Sequence, residues 1–273
     1  MNIFDLHAAP KRSVSLALSS ALFLIAIALY AWTAHTRHLE NPDDNVVPTF
    51  TQIVDGIDRA ALEPDRKGNY RLWVDTVASA KRFGISLAFL ILAVVLGLHM
   101  GIYPYFYSIF HRFMLFFDKI PALALLPILF IVFGLGEVSK IALILLGVFP
   151  TIALDTCLRA RGVPREQIIK GLSLGATHWE VTYKIVLPQI MPAVLDTIRL
   201  NFKAMILFLI AGESLAASVG LGYRIFVLRR YIAMDIIIPY VLWMSLLALA
   251  ADWLVRLWIR KRYSWSLSEG GRK

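Results

Sequence analysis

Residues Gly84–Ile102 read GISLAFLILAVVLGLHMGI, an apolar run without an acidic, lysine or arginine side chain. A helix needs about 20 such residues to cross the hydrocarbon core of a bilayer, and in lipid every backbone N–H and C=O group must be bonded inside the segment. The run is therefore predicted to be a transmembrane helix. Five further apolar runs occur along the chain, so the expected fold class is a bundle of transmembrane helices.

The composition agrees with a membrane protein. Of the 273 residues 58% are hydrophobic and only 17% are charged, and the mean hydropathy is +0.66. Soluble domains have about 45–50% apolar and about 25% charged residues. In a membrane protein, lysines and arginines concentrate in cytoplasmic segments, so the net charge of +9 is attributed to topology and no nucleic-acid partner is inferred. A single cysteine, Cys157, excludes an internal disulfide framework, and the absence of a GxxxxGK[S/T] motif excludes an ATPase site of the phosphate-loop type.

The runs predict an all-α protein with six transmembrane helices: Val14–Thr33, Gly84–Ile102, Ile120–Phe133, Lys140–Leu154, Val194–Ser218 and Ile232–Ile259. The third and fourth runs are short for complete spans. Three prolines interrupt them and two glycines separate them: Pro121, Pro127, Pro150, Gly134 and Gly136. Broken spans are typical of a substrate pathway, and packing kinks explain them equally well.

Four regions are expected along the chain: an N-terminal tail and first span (1–34), an external loop (35–82), a five-span core (83–260) and a tail (261–273). Within the loop, Thr49 and Gln52 have capping-box spacing ahead of apolar residues at helical intervals, which predicts a short amphipathic helix. Lysines and arginines concentrate before the first span, between spans four and five, and after span six. The positive-inside rule then places those three regions and both termini in the cytoplasm.

The segment between spans four and five, within 156–190, predicts two short helices joined by a sharp corner. Pro164 suits the first helical position, and Gly175 ends the first helix. Thr177 and Glu180 form a second capping box, whose helix is expected to run to Leu187 before Pro188. Such an elbow suits helix-in-groove docking to a soluble partner, and an ordinary cytoplasmic loop is an equal reading of these residues alone.

The elbow resembles the signature loop of permease subunits in bacterial ATP-binding-cassette importers. The frame consists of Gly175, Ile185, Leu187 and Pro188 at the family's spacing, whereas the family's Glu-Ala-Ala is replaced by Ile169-Lys170-Gly171. Residues 133–141, 211–217 and 220–222, together with Leu126-Pro127, resemble the nitrate, sulfonate, taurine and bicarbonate branch. The resemblance extends over about Val47–Arg260.

The resemblance implies an importer of the bacterial inner membrane. Its expected partners are a second and identical permease subunit, two ATPase subunits that bind ATP and Mg, and a periplasmic or lipid-anchored substrate-binding protein, in a lipid bilayer. No cofactor is expected on this chain. The residues expected to couple to the ATPase are Arg165, Ile168, Ile169, Lys170, Gly171, Leu172, Gly175 and Ala176, with the frame Ile185, Leu187 and Pro188. The residues expected in the translocation path or in subunit packing are Pro127, Gly134, Gly136 and Glu213.

Charged residues within the spans need partners, because an ionised group at mid-membrane costs about 2.5–3.5 kcal/mol on insertion scales. Asp196 is expected to pair with Arg199, and Asp252 with Arg256, at helical spacing. Glu213 either faces the path or fixes packing. The alternative function is a proton-coupled secondary transporter that uses Glu213 or Asp252. A membrane enzyme lacks converging His, Asp or Cys residues, and a purely structural subunit leaves the broken spans unexplained.

Overall fold

The computed structural model describes residues 12–41, 44–65 and 68–265, and within these ranges it is all-α. An isolated β-bridge between Pro64 and Tyr70 is the sole extended pairing in the described ranges. The first helices are α1 (Arg12–Glu40), α2 (Phe50–Ala61), α3 (Arg71–Ile102), α4 (Pro104–Asp118), α5 (Leu126–Phe133) and α6 (Glu137–Arg161), with a 3₁₀ turn at Ala122–Leu125. The predicted all-α fold class is confirmed.

The second half of the chain continues as helices. They are α7 (Arg165–Ser173), α8 (His178–Glu180), α9 (Leu187–Leu200), α10 (Phe202–Ala216), α11 (Leu221–Leu228) and α12 (Met234–Arg262). A π-helical segment, Val181–Val186, connects α8 to α9, and a 3₁₀ turn, Arg229–Tyr231, follows α11. Of the predicted tail, 261–273, the first two residues belong to α12, and residues 266–273 lie outside the described residues, as do residues 1–11.

Four helices are long and apolar enough to cross a membrane: α1, α3, α6 and α12. Two bent pairs reach the same standard when each is counted as one span. The first joins Pro104–Asp118 to Ala122–Phe133 at 86°, and the second joins His178–Ala216 to Leu221–Tyr231 at 57°. Counted in this way, the described residues hold up to six spans by length and composition.

The chain forms two compact units. The smaller one comprises Met1–Glu63 and Leu228–Pro239. Within it the predicted amphipathic helix α2 begins at the expected place, because Thr49 and Gln52 make a complete capping box. Gly56 of α2 lies against the backbone of Asp235, since a Cβ atom at this glycine would stand 2.2 Å from the Asp235 carbonyl oxygen. The Arg59 guanidinium forms an ion pair with the Asp235 carboxylate beside this contact.

The larger unit comprises Pro64–Val227 and Tyr240–Lys273, and its core is the crossing of α3 with α6. A Cβ atom at Gly97 would stand 2.3 Å from the Ala153 carbonyl oxygen, and one at Gly101 would stand 2.4 Å from the Ala160 Cβ atom. Glycine therefore permits the two backbones to approach closely, the usual means of helix association in lipid. Fully buried apolar side chains surround the crossing: Leu90, Leu98, Ile144, Val148 and Ile152.

Two helix boundaries differ from the predicted ones, and one further helix lies between the predicted spans. Helix α3 begins at Arg71, so the last part of the predicted external loop is helical. Helix α6 covers 25 residues, Glu137–Arg161, so the fourth run is a full-length helix that passes through Pro150. The prediction was too short because it counted only apolar residues, and both ends of α6 carry polar residues. The aromatic stretch after α3 is the helix α4, which forms one arm of the 86° bend.

The predicted helix end before Pro188 is also wrong. The helix that starts at His178 continues through the π-helical Val181–Val186 and past Pro188 to Leu200. A proline inside an α-helix clashes with the carbonyl four residues earlier. Here the Leu187 N–H group bonds to the Thr182 carbonyl, five residues earlier, and this wider turn makes room for the proline ring.

Candidate functional site

The elbow between α6 and α9 is built as a helix, a glycine corner and a second helix. Pro164 has extended backbone angles and stands just before α7, one position earlier than predicted. Gly175 has a φ of +86°, in the left-handed region that side chains other than glycine rarely adopt. The Thr177 hydroxyl then accepts a bond from the Glu180 N–H group, and the Glu180 carboxylate accepts one from the Thr177 N–H group at 3.0 Å. The predicted capping box is therefore present.

The elbow has an inner face that packs on the core. Ile168, Leu172, Ala176, Ile185 and Leu187 all contact the core cluster of the larger unit. The predicted coupling residues Ile168, Ile169 and Leu172 therefore do not share one face, because Ile169 points away from the core.

Its outer face is both apolar and basic. Ile169 is 60% exposed, Leu174 is 79% exposed and Trp179 is 61% exposed. Arg165 and Lys170 are exposed beside them. Leu174 and Trp179 were not among the predicted site residues, although both lie within four residues of the glycine corner. Large exposed apolar side chains next to a basic surface are typical of a docking site for another protein.

Gly171 lies at a close contact between the two arms of the elbow. It is buried, and a Cβ atom there would stand 2.6 Å from Ile185 Cδ1 and 3.4 Å from Val181 Cγ2. An alanine at this position, as in the family's Glu-Ala-Ala, would therefore push against the π-helical segment. The departure of this chain from the family pattern at Gly171 fits the size of Ile185, which is itself one of the predicted frame residues. Pro188, the last frame residue, is exposed.

Glu213 lies in a second candidate site, a buried network of charges in the larger unit. Its side chain has no exposed surface. The carboxylate accepts hydrogen bonds from Arg82 Nη1 at 2.7 Å, from the Ser79 hydroxyl at 2.7 Å and from the Gly222 N–H group at 2.8 Å. Helices α3, α10 and α11 therefore meet at this one carboxylate.

Arg82 joins that carboxylate to the start of α6. Its Nε and Nη2 atoms donate to the two oxygens of Glu137 at 2.6 and 2.8 Å, and Nη1 also donates to the Val219 carbonyl at 2.9 Å. Lys140, which is buried, donates to Glu137 at 3.1 Å. One guanidinium thus serves two carboxylates in a fixed fork geometry, which a lysine could not reproduce.

A third carboxylate, Asp75, extends the network to α12. It is fully buried and accepts bonds from the Gly220 N–H group at 2.9 Å, from Arg224 Nε at 2.8 Å and from the Tyr240 hydroxyl at 3.2 Å. Three carboxylates thus face three cations in this network. Because the charges are balanced and hydrogen-bonded, burial of Asp75, Arg82 and Glu213 is tolerated, whereas Glu137 lies at the exposed edge of the network.

An apolar cavity of about 220 Å³ borders the network. Thr76, Phe83, Phe202, Ile210 and Met244 are among its lining residues, and Glu213 contributes to its wall. The Glu213 carboxylate is bonded to Arg82, Ser79 and Gly222, so the cavity is lined mainly by hydrocarbon. Within the described residues no group of three or more His, Cys, Asp or Glu side chains could hold a metal ion.

The other predicted path residues lie apart from this cavity. Pro127 is at the start of α5, Gly134 follows α5 with a φ of +74°, and Gly136 caps α6, and all three are exposed. Gly136 directly precedes Glu137, so it stands next to the charge network. Pro127 and Gly134 do not contribute to it.

The charged residues nearer the elbow pair as predicted and more extensively. Asp196 accepts from Arg199 at 2.7 Å, and Asp252 accepts from Arg256 at 2.9 Å. Arg199 also donates to Asp252 at 2.8 Å, which links α9 to α12. The three- and four-residue spacing of helical ion pairs predicted both pairs within a helix. The Arg199–Asp252 bond joins two helices, and no sequence pattern predicts it.

The sequence pattern of one protein family covers the whole elbow and the Glu137 and Glu213 side of the charge network. The family described as "Binding-protein-dependent transport system inner membrane component" matches residues 89–263, well over half of the chain. The chain belongs to this family. The predicted recognition of an importer permease is therefore confirmed.

Named relatives agree with this membership. The chain is 27% identical over 256 residues to the taurine transport system permease protein TauC of Escherichia coli, covering 93% of this chain and 91% of TauC. It is 31% identical over 152 residues to SsuC of Bacillus subtilis, whose name assigns it to aliphatic sulfonate transport, covering 56% of this chain and 55% of SsuC. It is 28% identical over 151 residues to the riboflavin transport system permease protein RibX of Chloroflexus aurantiacus, covering 55% of this chain and 56% of RibX. Members of the family reside in the inner membrane and work with an ATPase and a substrate-binding protein.

Proposed function

We propose that this permease carries a small organic oxyanion, of the sulfonate class, into the cell, and that an ATPase drives it through the elbow. The observation that carries the proposal is the outer face of the elbow. Ile169, Leu174 and Trp179 expose hydrocarbon there, while the inner face of the same elbow is anchored on the core. A rigid element with an unpartnered apolar face can transmit the motion of a docked subunit to α6 and α9.

The substrate class rests on the relatives. TauC and SsuC carry the names of taurine and aliphatic sulfonates, and both substrates present a sulfonate group to the transporter. RibX is named for riboflavin, so membership in the family does not by itself set the solute. Coverage of TauC over nearly its whole length favours the sulfonate class for this chain.

The proposed mechanism is alternating access. Two copies of this chain form the path, the substrate-binding protein delivers the solute on the outside, and ATP and Mg are held by the ATPase. Closure of the ATPase subunits on ATP moves the elbows and switches the permease pair between two states. The elbow and both termini then lie in the cytoplasm. The identity of the two copies is proposed because a chain with up to six spans and no internal repeat makes a homodimer the simplest assembly.

We assign a structural role to Glu213 in this mechanism. The Arg82 guanidinium already neutralises it, and Asp252 likewise has Arg199 and Arg256 as partners. A proton carrier needs a carboxylate that is free to gain and lose a proton during the cycle. No observation in the described part of the chain favours the proton-coupled alternative.

The experiment is affinity purification of the tagged chain from its native membrane. Replacement of the three outer-face residues, Ile169→Ser, Leu174→Ser and Trp179→Ser, is expected to remove a co-purifying ATPase. The matched control is Leu62→Ser, which removes an apolar side chain that is 65% exposed beyond the end of α2. Undiminished ATPase in the triple variant would refute docking at this face. Sulfonate uptake into liposomes under a proton gradient without ATP would refute the importer mechanism itself.

A further inference from the structure

A polar cleft lies where the main helices of the larger unit reach the elbow. Its walls come from the end of α3 at Gly101 and Ile102, the start of α4 at Pro104 and Tyr107, and the junction of α6 and α7 around Arg161. Its volume is about 380 Å³. We call it the Tyr107 cleft. It is separate from the apolar cavity beside Glu213, with which it shares no lining residue.

Two arginines line this cleft without a carboxylate partner. The Arg161 guanidinium carbon stands 4.2 Å from the centre of the Tyr107 ring, a cation–π distance, and Arg165 lines the cleft as well. Neither forms an ion pair with any residue in the part of the chain that the structure describes. Arg159, only two residues before Arg161, does pair with Asp155 at 2.6 Å. The cleft therefore holds two exposed positive charges that no described carboxylate neutralises.

Apart from the Ser108 side chain, the other residues that line the cleft are mainly apolar. Met100 and Val163 are buried at 1% and 8% exposure, and Ile102 and Ile168 are half-buried. None of the described lining residues is acidic. A ligand that fits this cleft has a compact anionic group for the two guanidinium groups and a hydrocarbon part that packs against the apolar lining residues.

We propose that the Tyr107 cleft binds a phosphate group, and that this phosphate belongs to the headgroup of an anionic membrane lipid. Arginine matches phosphate oxygens with two parallel N–H donors, and stacking on Tyr107 fixes the orientation of one such fork. Helix α7 begins at Arg165, so its positive end adds to the field at the cleft. The cleft lies at the ends of α3 and α6, both of which are long and apolar enough to span a membrane. With 32 and 25 residues, both helices are longer than the roughly 30 Å hydrocarbon core requires, so we expect their ends at headgroup depth, where lipid phosphates lie.

Lipid binding would bear on the elbow, because Arg165 and Ile168 belong both to the cleft and to the start of α7. A lipid held there ties α7 to the ends of α3 and α4. This consequence for coupling rests on the proposed function, whereas the binding itself does not.

The test measures lipid retained by the full-length chain, purified in detergent with the subunits that accompany it. Native mass spectrometry compares phosphatidylglycerol with phosphatidylcholine at equal concentrations. The wild-type chain is expected to retain phosphatidylglycerol preferentially. In the double variant Arg161→Gln/Arg165→Gln this retention is expected to fall roughly tenfold or more, with phosphatidylcholine unchanged. The matched control Arg260→Gln/Arg262→Gln removes two exposed charges at the end of α12 and is expected to keep wild-type retention.

Two further experiments distinguish lipid phosphate from free phosphate and test the stacking of Arg161 on Tyr107. Inorganic phosphate that displaces the lipid at equal concentration would overturn the lipid assignment and leave a site for the free ion. Tyr107→Phe keeps the ring and is expected to keep retention, whereas Tyr107→Leu is expected to lower it. Equal loss in the arginine double variant and in its control, or no preference for phosphatidylglycerol, would overturn the site. These experiments measure retained lipid and not co-purified ATPase. A negative result here would therefore leave the proposed docking of the ATPase on the elbow untouched.

Discussion

The Arg82 guanidinium donates a hydrogen bond of 2.7 Å to the Glu213 carboxylate, across 131 residues of sequence, and the Glu213 side chain is completely buried. The same guanidinium holds Glu137 by two bonds at the start of α6. Arg82 is thus the common cation of two carboxylates on different helices. Loss of Arg82 would therefore remove a hydrogen-bonded cation from both carboxylates at once.

Replacement of Arg82 by methionine is the first prediction. It leaves Glu213 buried without its cation, and breaking a buried ion pair on one side costs about 3–5 kcal/mol. Arg82→Met is therefore expected to lower the melting temperature in detergent strongly, whereas Arg262→Met, at an exposed position, is expected to change it little. The double variant Arg82→Met/Glu213→Gln is expected to recover part of the loss, because the unpaired charge is gone. A single variant that melts like the wild-type chain would contradict this account.

The turn before α11 gives the second prediction. Gly220 has a φ of +141°, and a Cβ atom there would stand 2.6 Å from Glu213 Oε2 and 2.7 Å from Arg82 Nη1. Gly220→Ala therefore combines backbone strain of about 1–3 kcal/mol with displacement of the ion pair. Gly84→Ala is the control, since no atom lies within 4 Å of a Cβ there and alanine is favoured over glycine inside a helix by up to about 1 kcal/mol.

Thermal melting of the two glycine variants measures this difference. Gly220→Ala is expected to melt lower than the wild-type chain, and Gly84→Ala at the same temperature or slightly higher. If the melting temperatures of both variants changed by the same small amount, the turn at Gly220 would not be packed as tightly against the Arg82–Glu213 pair as the structure shows.

The loop between α1 and α2 gives a prediction for pH. Arg37 Nε donates to Asp44 at 2.5 Å, and this bond, aided by the Val46 N–H group, holds the pKa of the Asp44 carboxyl below its usual value. A carboxyl whose pKa is lowered on folding stabilises the fold above its unfolded pKa and loses that contribution as the pH falls through the folded pKa. The melting temperature of the wild-type chain is therefore expected to exceed that of Asp44→Asn at neutral pH. The gap is expected to close below about pH 4. A gap that widened on acidification would have the wrong sign.

Features that depend on neighbours in sequence could be predicted from the sequence. The capping boxes at Thr49 and Thr177 begin helices where expected, because a cap is made by residues three apart. The pairs Asp196–Arg199 and Asp252–Arg256 follow from helical spacing in the same way. Apolar length likewise located the long helices.

Features that depend on distant residues could not. The role of Arg82 was missed because its partners stand 55 and 131 residues away, and nothing local marks it. Full-length α6 was missed because Glu137 and Lys140 interrupt the apolar count, although each is neutralised in the fold. The helix end predicted at Pro188 failed because π-helical bonding has no sequence rule of comparable strength.

The elbow gives the last prediction, which concerns the family's alanine at the position of Gly171. Gly171→Ala would place a methyl group 2.6 Å from Ile185 Cδ1, and overpacking of this kind costs about 1–3 kcal/mol. The low end is expected, because the clash involves the tip of a flexible side chain. The variant is expected to shift α7 outward and to weaken retention of the ATPase during purification.

The companion variant Gly171→Ala/Ile185→Val decides the cause. Valine lacks the Cδ1 atom, so the new methyl group gains the space that it needs, and ATPase retention is expected to return to near the wild-type level. Ile185→Val alone removes one methylene from a half-buried site and is expected to cost only about 0.5–1.5 kcal/mol. If the double variant were as weak as Gly171→Ala, the fit between Gly171 and Ile185 would not explain the departure from the family pattern. The overpacking would then have to involve Val181 Cγ2, which stands 3.4 Å from the same Cβ position.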